Sequence, residues 1–586
     1  MTADNESVGA IPGGFAPLGR EHCSLAHQSL RSPHASSNLP PSTAVPRTHL
    51  LARVVAACRV AARAAETGIH TDDVADRSLV APNDLAPISR RRFVGAAAAG
   101  TAGVAVAACT GPEHTFGPVP GTPNATKASS QRVVVIGAGL AGLTCAYRLR
   151  QRGIDVTVYE ANTRLGGRCW TNRASFDAGQ VAEHGGELID QSHTTIRQLA
   201  QELGLTLDNV LAAEPNGSEP FFWFGGGRYP LADTLRDLKA VWQPLKRDYQ
   251  AAGYPTLYTS STAAGRALDA MSIADWIATR VPGGLDSRLG QLLAVAYTIE
   301  YGGEVQDQSA LNLIYLLGAV GQGQIRLFGP SNEKYKVRGG NDRIVSGLAA
   351  TLEGRVVTGR ALAAIRASGS RWTLDFDDRT TVAADRVVLA LPFSVMRERV
   401  DWTAAGFPTP KRWAIAELGM GMNAKLALQF ATRHWHTLGN GGDSYADTGY
   451  QATWEVTRAQ PGTRGILVDY TGAGETLRQS GRLSAALAVE FLERAEPVFP
   501  GLTAQWNGKA TFDDWPRNPW TLGSYSYFRV GQYQRFAGAE AELVGSCHFA
   551  GEHTSIDAQG YLEGAVESGE RAAREVLAAL GVIPGA

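Results

Sequence analysis

Arg132-Val133-Val134-Val135-Ile136-Gly137-Ala138-Gly139-Leu140-Ala141-Gly142 is the strongest structural signal in the chain. The β-branched run at 132–136 predicts a short strand, the glycines predict a tight turn, and the residues onward to Arg150 predict a helix. Strand, turn and helix stand in the order a dinucleotide site requires. Gly137 permits the turn, Gly139 lets the backbone approach a pyrophosphate, and Gly142 allows close packing of a helix whose N-terminus faces the anion. A second expected strand, 154–159, leads into Glu160, where a carboxylate can accept hydrogen bonds from a ribose. The motif alone does not separate NAD from FAD.

The chain around this motif has 586 residues, more than one domain of about 100–200 residues needs, so two domains or one large composite are expected. Hydrophobic residues at 44% and charged residues at 19% are ordinary globular usage. Lys+Arg 55 against Asp+Glu 56 leaves a formal charge of -1, so no global basic field recommends nucleic acid or anionic lipid. A small soluble ligand is expected instead. Glycine is abundant, 66 residues, which suits tight turns and close backbone approach to that ligand. The six cysteines form no CxxC pair, which argues against a disulfide scaffold or a zinc site, and no metal is predicted.

Residues 1–87 lack a sustained strand pattern and are expected to be a disordered extension, with the Ala-rich stretch 49–66 at most a marginal isolated helix. Residues 88–109 carry Ser89-Arg90-Arg91-Arg92-Phe93-Val94 and then an uncharged Ala/Gly/Val run to Ala108. This looks like a twin-arginine export signal, too short in its apolar part for a stable membrane span. Val106-Ala107-Ala108-Cys109 is similar to a lipobox, making Cys109 either a lipid-anchored N-terminus or one cysteine in an Ala-rich segment. The expectation is export through the twin-arginine machinery to a periplasmic or extracellular location. A signal so far from Met1 leaves open a start downstream of it. Residues 110–130 read as a linker.

Further motifs follow: Glu160-Ala161, Arg164-Leu165-Gly166-Gly167-Arg168, and Glu183-His184-Gly185-Gly186-Glu187-Leu188-Ile189. Arg338-Gly339-Gly340-Asn341-Asp342 precedes an expected helix, and 355–357 and 385–392 read as strands. Near the end stand Phe549-Ala550-Gly551-Glu552-His553 and Gly560-Tyr561-Leu562-Glu563-Gly564. Together, over residues 131–580, they resemble the flavin amine oxidases, the superfamily of monoamine, L-amino-acid and polyamine oxidases. The resemblance implies an α/β fold: an FAD-binding Rossmann-like domain of the glutathione-reductase type with a second, α+β substrate domain. The FAD-binding pieces would be 131–200, 331–400 and 540–586, the substrate domain 201–330 and 401–539, with the active site between them. It implies FAD contacts from Gly137, Gly139, Gly142, Glu160, Ala161, Arg164, Gly167, Arg168, Gly185, Gly186, Glu187, Val356, Gly551, Glu552, Tyr561 and Leu562. A helix beginning after Gly564 would aim its N-terminus at the flavin pyrimidine. Ser524 stands where monoamine oxidases have the cysteine that bonds flavin, which implies noncovalent FAD.

By the same resemblance, Tyr525 and Tyr561 are the aromatic cage beside the flavin, and Lys425 is the lysine that holds a water near N5. The implied reaction takes a hydride equivalent from the carbon beside nitrogen, hydrolyses the imine and reduces O2 to hydrogen peroxide. The implied partners are an amine or amino acid and O2, and a homodimer is compatible with them. Two alternatives stay open: an L-amino-acid oxidase, and a dehydrogenase or desaturase with another electron acceptor. The arginine that holds the substrate carboxylate in venom-type L-amino-acid oxidases falls at Leu188, leaving Arg326 or Arg338 as substitutes. Glu183 and Glu187 either read a cationic tail, as in diamines or basic amino acids, or are solvated or backbone-bonded carboxylates.

Overall fold

The computed structural model describes residues 131–319, 327 and 331–584. The extension, the twin-arginine segment with Cys109, the linker and Arg326 lie outside the described residues.

The run at 132–136 forms the strand Val133–Ile136, the centre of a five-stranded parallel sheet. The strands lie in the order Cys547–Phe549, Arg386–Leu389, Val133–Ile136, Val156–Tyr159, Val356–Val357. Every residue of the central strand is buried, because both faces of the sheet are covered, as a parallel sheet requires. Its side chains alternate between two cores. Val133 and Val135 pack with the helices Leu140–Gln151, Asp342–Thr351 and Leu562–Ala579, while Val134 and Ile136 face aromatic and aliphatic side chains including Phe376, Phe393 and Phe549.

The first and last helices approach closely enough that a Cβ on Gly569 would lie 2.4 Å from the Ala141 carbonyl oxygen. Arg148 fastens this contact: Nε donates to Glu570 at 2.6 Å, and the guanidinium grips Glu202 of the helix Thr194–Glu202 with a shorter contact of 2.6 Å. The N-terminus of that helix is held in turn by Glu563, whose carboxylate accepts from the Thr195 and Ile196 amides at 2.9 and 2.7 Å. Three helices widely separated in sequence are thereby fixed on one face of the sheet.

A second, seven-stranded sheet runs Trp506–Asp514, Asn423–Phe430, Gly465–Gly472, Ala452–Glu455, Ser444–Ala446, Phe221–Phe224, Gly227–Arg228. Its pairings are antiparallel except that between Ser444–Ala446 and Phe221–Phe224. Every residue of Asn423–Phe430 is buried, with Leu426, Leu428 and Phe430 in one core and Ala427 in another. A helical cluster that includes Leu231–Ala252, Ile273–Arg280, Arg288–Tyr301 and Ala310–Leu317 packs around Trp276 and Tyr297. A small sheet pairs Leu207–Asn209 with Tyr335–Val337, and Lys336 on it donates to the Val456 carbonyl, just after the strand Ala452–Glu455. Among the described residues no helix is long and apolar enough to cross a membrane.

Candidate active site

One cavity runs from the first βα turn to the seven-stranded sheet. At its start the glycines do different work. Gly137 has φ +101, and a Cβ there would lie 2.6 Å from the Ala390 carbonyl oxygen; a Cβ on Gly142 would lie 1.9 Å from the Gly137 oxygen. Gly139, by contrast, would meet nothing within 4 Å, because it opens on the cavity. Gly166 bridges to Gly139, and Gly167 at φ +56 would have only the Gly139 Cα nearby. The result is a floor of bare backbone at a helix N-terminus, which fits a dinucleotide diphosphate.

Glu160 lines the same end, its oxygens accepting from the Ala138 amide at 2.7 Å and the Asn162 amide at 2.9 Å. Arg164 donates to the carbonyls of Leu165 and Gly167 and lies over the Trp170 ring. Burial lowers its pKa from the ordinary guanidinium value. Further along, Arg168 Nη1 donates to the Ser524 carbonyl at 2.7 Å and to Glu552 at 2.8 Å. Glu552 also accepts from Ser526 and the Gly560 amide. Burial penalises that carboxylate, but Arg168, His553 and Ser526 outweigh it and hold its pKa below the ordinary value. Gly185 and Gly186 admit the backbone where a Cβ would lie 2.0 Å from the Arg168 oxygen and 2.6 Å from Leu562 Cδ2. Asn341 pins this segment, its Nδ2 donating to the carbonyls of Gly186 and Glu187.

Beyond the floor stand Tyr525 and Tyr561. The Tyr525 hydroxyl donates to the Ile299 carbonyl at 3.0 Å and shares a 2.8 Å hydrogen bond with Tyr470; the Tyr561 hydroxyl reaches Glu300 Oε1 at 3.3 Å. Two phenols are thus anchored on consecutive residues at the C-terminal end of one helix. Lys425 enters from the second sheet, its Nζ donating to Glu187 at 2.7 Å and to the Gly185 carbonyl at 3.3 Å, with Trp454 beside it. Ser524 Oγ donates to Asn423 Oδ1 at 2.6 Å. Glu300, Glu333, Asp443, Tyr445, Trp454 and Tyr470 complete the far wall. Burial, then Glu333 and Asp190, push the Glu300 carboxyl up to about 8 against a smaller opposing effect of the Tyr561 hydrogen bond.

A family model for flavin containing amine oxidoreductases matches residues 140–577. The chain belongs to this family. It is an amine oxidoreductase, and its cofactor is FAD. Among curated relatives, a nicotine dehydrogenase of Pseudomonas putida is 28% identical over 507 residues, covering 83% of this chain and 97% of that protein. A flavin-containing amine oxidase B of Bos taurus is 25% identical, covering 77% and 87%. Among solved structures, a cyclohexylamine oxidase from Brevibacterium oxydans superposes with TM-score 0.68 at 23% identity, covering 77% of this chain and 99% of that one. A putrescine oxidase bound to putrescine gives 0.67 at 21% identity, covering 76% and 99%. These two structures share the fold.

Within this flavin amine oxidoreductase, the cavity brings together Gly137, Gly139, Glu160, Ala161, Arg164, Gly167, Arg168, Gly185, Gly186, Glu187, Lys425, Tyr525, Gly551, Glu552, Tyr561 and Leu562. Gly142 is not on the lining; it serves the helix contact behind it. Val356 is not brought there either: it lies on the edge strand of the parallel sheet, paired with Val158. The last helix starts at Leu562, not after Gly564, because Gly564 already packs inside the first turn, where a Cβ would lie 2.1 Å from the Ala558 oxygen. Arg338 is exposed and bonds Asp208, so it offers no carboxylate clamp. Glu183 is occupied by Thr171 and the Asn341 amide, and burial raises it to about 7; Glu187 is occupied by Lys425. The acids that do face the cavity, Glu300 above all, escape a reading of the sequence. The available signal is a lone carboxylate near the C-terminus of the mainly apolar helix Arg288–Tyr301, where the helix dipole disfavours it.

Proposed function

We propose that the protein is an exported oxidase of amines with noncovalently held FAD, yielding an imine that water hydrolyses to a carbonyl compound plus ammonia or an amine, and hydrogen peroxide from O2. The observation that carries this reading is the tyrosine pair, rooted beside the glycine floor and anchored on Ile299 and Glu300. When bound, FAD supplies a hydride acceptor that dioxygen regenerates. Gly139, Gly167 and the helix N-terminus hold the diphosphate, Glu160 the ribose, and Arg168 and Glu552 fix the segment between. The two phenol rings exclude water and orient the amine. Lys425 Nζ has two protons engaged by Glu187 and Gly185, and its third would hold a water in the cavity. Ser524 offers a hydroxyl bonded to Asn423 where a flavin link would need a thiol. The arginine motif at 89–94 supports export.

The described basic groups on the lining, Arg164, Arg168 and Lys425, are all engaged by carbonyls or carboxylates. With Leu188 also on the lining in place of an arginine, this favours an amine over an amino acid whose carboxylate needs a partner. The likeness to a nicotine dehydrogenase supports a second reading, in which the electrons go to an acceptor other than oxygen. An anaerobic bleaching screen over monoamines, diamines and L-amino acids tests the substrate; peroxide release in air tests the acceptor. Bound flavin that no amine bleaches defeats the proposal, and bleaching without peroxide in air favours the second reading.

A further inference from the structure

Asn341 stands at the N-cap of the helix Asp342–Thr351, where an asparagine ordinarily gives its side-chain oxygen to an amide of the first turn. Here it makes no such bond. Its Nδ2 donates instead to the carbonyls of Gly186 at 3.1 Å and Glu187 at 2.7 Å, and its Oδ1 accepts from the Val337 amide at 2.9 Å. The Asn341 backbone amide donates to Glu183 Oε1 at 2.9 Å. The residue is fully buried, with both side-chain donors and the oxygen engaged. Only a carboxamide serves all three partners: aspartate would set an acceptor against two carbonyls, and alanine would leave those carbonyls without their donor.

The consequence reaches the cavity in two steps. The Gly185 carbonyl takes Lys425 Nζ at 3.3 Å, the next two carbonyls take Asn341, and the Glu187 carboxylate turns back to Lys425 at 2.7 Å. Gly185, Gly186, Glu187 and Lys425 line the cavity, whereas Asn341 stands behind them, off the lining. Fixing the Glu187 backbone sets where its carboxylate ends. That carboxylate, with the Gly185 carbonyl, sets where the ammonium ends.

Resting on the reading in which Lys425 holds a water in the cavity, we propose that Asn341 is a positioning residue for amine oxidation: its bonds to two consecutive carbonyls hold the segment 185–187 so that Glu187 and Gly185 keep the Lys425 ammonium at one place on the cavity wall.

The experiment is a double-mutant cycle on holoenzyme: wild type, N341A, K425M and N341A/K425M. Flavin reduction is followed without air, using n-alkylamines and α,ω-diamines and keeping the fastest of them throughout. In N341A the limiting rate of reduction should fall at least about tenfold, the scale for a misplaced group. Amine affinity, read from the same saturation curves, should change less than about twofold, because the tyrosine walls are untouched. The flavin absorbance should shift in the direction seen in K425M. In the K425M background, N341A should slow reduction by less than about twofold more, while lowering the melting temperature in both backgrounds. Equal slowing in both backgrounds makes Asn341 merely structural and overturns the inference, as does a folded N341A that reduces its flavin at the wild-type rate. Should N341A fail to fold, E187D takes its place. With the backbone held, the shortened carboxylate falls short of Lys425 and reduction should be as slow as in E187Q, and E187D at the wild-type rate overturns the inference. Undiminished reduction in K425M removes the lysine from the chemistry and overturns its reading together with this one. Slow reduction in K425M beside a fast N341A overturns this one alone.

Discussion

Lys425 Nζ lies 2.7 Å from Glu187 Oε2, and both side chains are buried. Removing one member of such a pair strands the other, at a cost of about 3–5 kcal/mol. Lys425→Met should therefore lower stability and, if the ammonium positions water at the cavity, slow turnover by about 10²-fold while FAD stays bound. The double variant Lys425→Met/Glu187→Gln separates the two effects, because the amide can still accept from Trp454 Nε1. Thermal melting should recover in the double variant and turnover should not. Recovery of both would make the lysine purely structural.

Gly139 and Gly142 belong to one motif yet should fail differently. A Cβ at Gly142 collides with the Gly137 carbonyl, so Gly142→Ala should destabilise the apoprotein by about 1–3 kcal/mol, the range for overpacking. A Cβ at Gly139 meets no protein atom within 4 Å, so Gly139→Ala should leave apoprotein melting nearly unchanged. It should weaken FAD binding by about tenfold or more, about 1.4 kcal/mol, because the methyl occupies cofactor space. Flavin titration and melting of the apoproteins give both numbers. Equal flavin affinity in Gly139→Ala and wild type would move the diphosphate elsewhere.

The two glycines also mark how far residue order alone carries. The first βα unit is written in consecutive residues, so the positions of strand, turn, helix and the terminal Glu160 all follow from local sequence. The helix Leu231–Ala252 is equally legible, because its apolar positions recur with helical spacing. Glu300 is not, because its meaning depends on Tyr561, 261 positions away, and no local pattern carries that contact. The pairing of Leu207–Asn209 with Tyr335–Val337 is hidden for the same reason. Val356 differs again: its strand is legible locally, but its place at the sheet edge is set by pairing with Val158, 198 positions earlier, which no local pattern carries.

Glu455 gives a pH prediction away from the chemistry. Its carboxylate is buried, which penalises ionisation, but His436, Trp435, Thr457 and Arg433 outweigh burial and lower its pKa to about 2. A depressed folded pKa contributes stability that is present above the unfolded value of 4.5 and lost as pH falls through about 2. The shift corresponds to about 3 kcal/mol. Melting temperature followed from pH 7 downward should drop through that window, and Glu455→Gln should be less stable at pH 7 and show a flatter acid limb. Parallel limbs for wild type and variant would remove Glu455 from acid sensitivity.

Ser524 bears on how the flavin is held. Its hydroxyl is committed to Asn423 and its carbonyl to Arg168, so the residue positions the cavity wall through hydrogen bonds and presents no thiol for a covalent link. Acid precipitation of the holoenzyme should release all yellow colour to the supernatant. Ser524→Ala leaves that release complete but strands the Asn423 amide oxygen, a buried acceptor whose desolvation costs about 1–3 kcal/mol. It should also loosen the segment that leads into Tyr525, so the flavin should bind more weakly and its absorbance envelope should shift. Colour retained in the wild-type pellet would demand a covalent bond to another side chain, and a variant with unaltered flavin affinity and spectrum would mean that Ser524 holds the wall without touching the cofactor's environment.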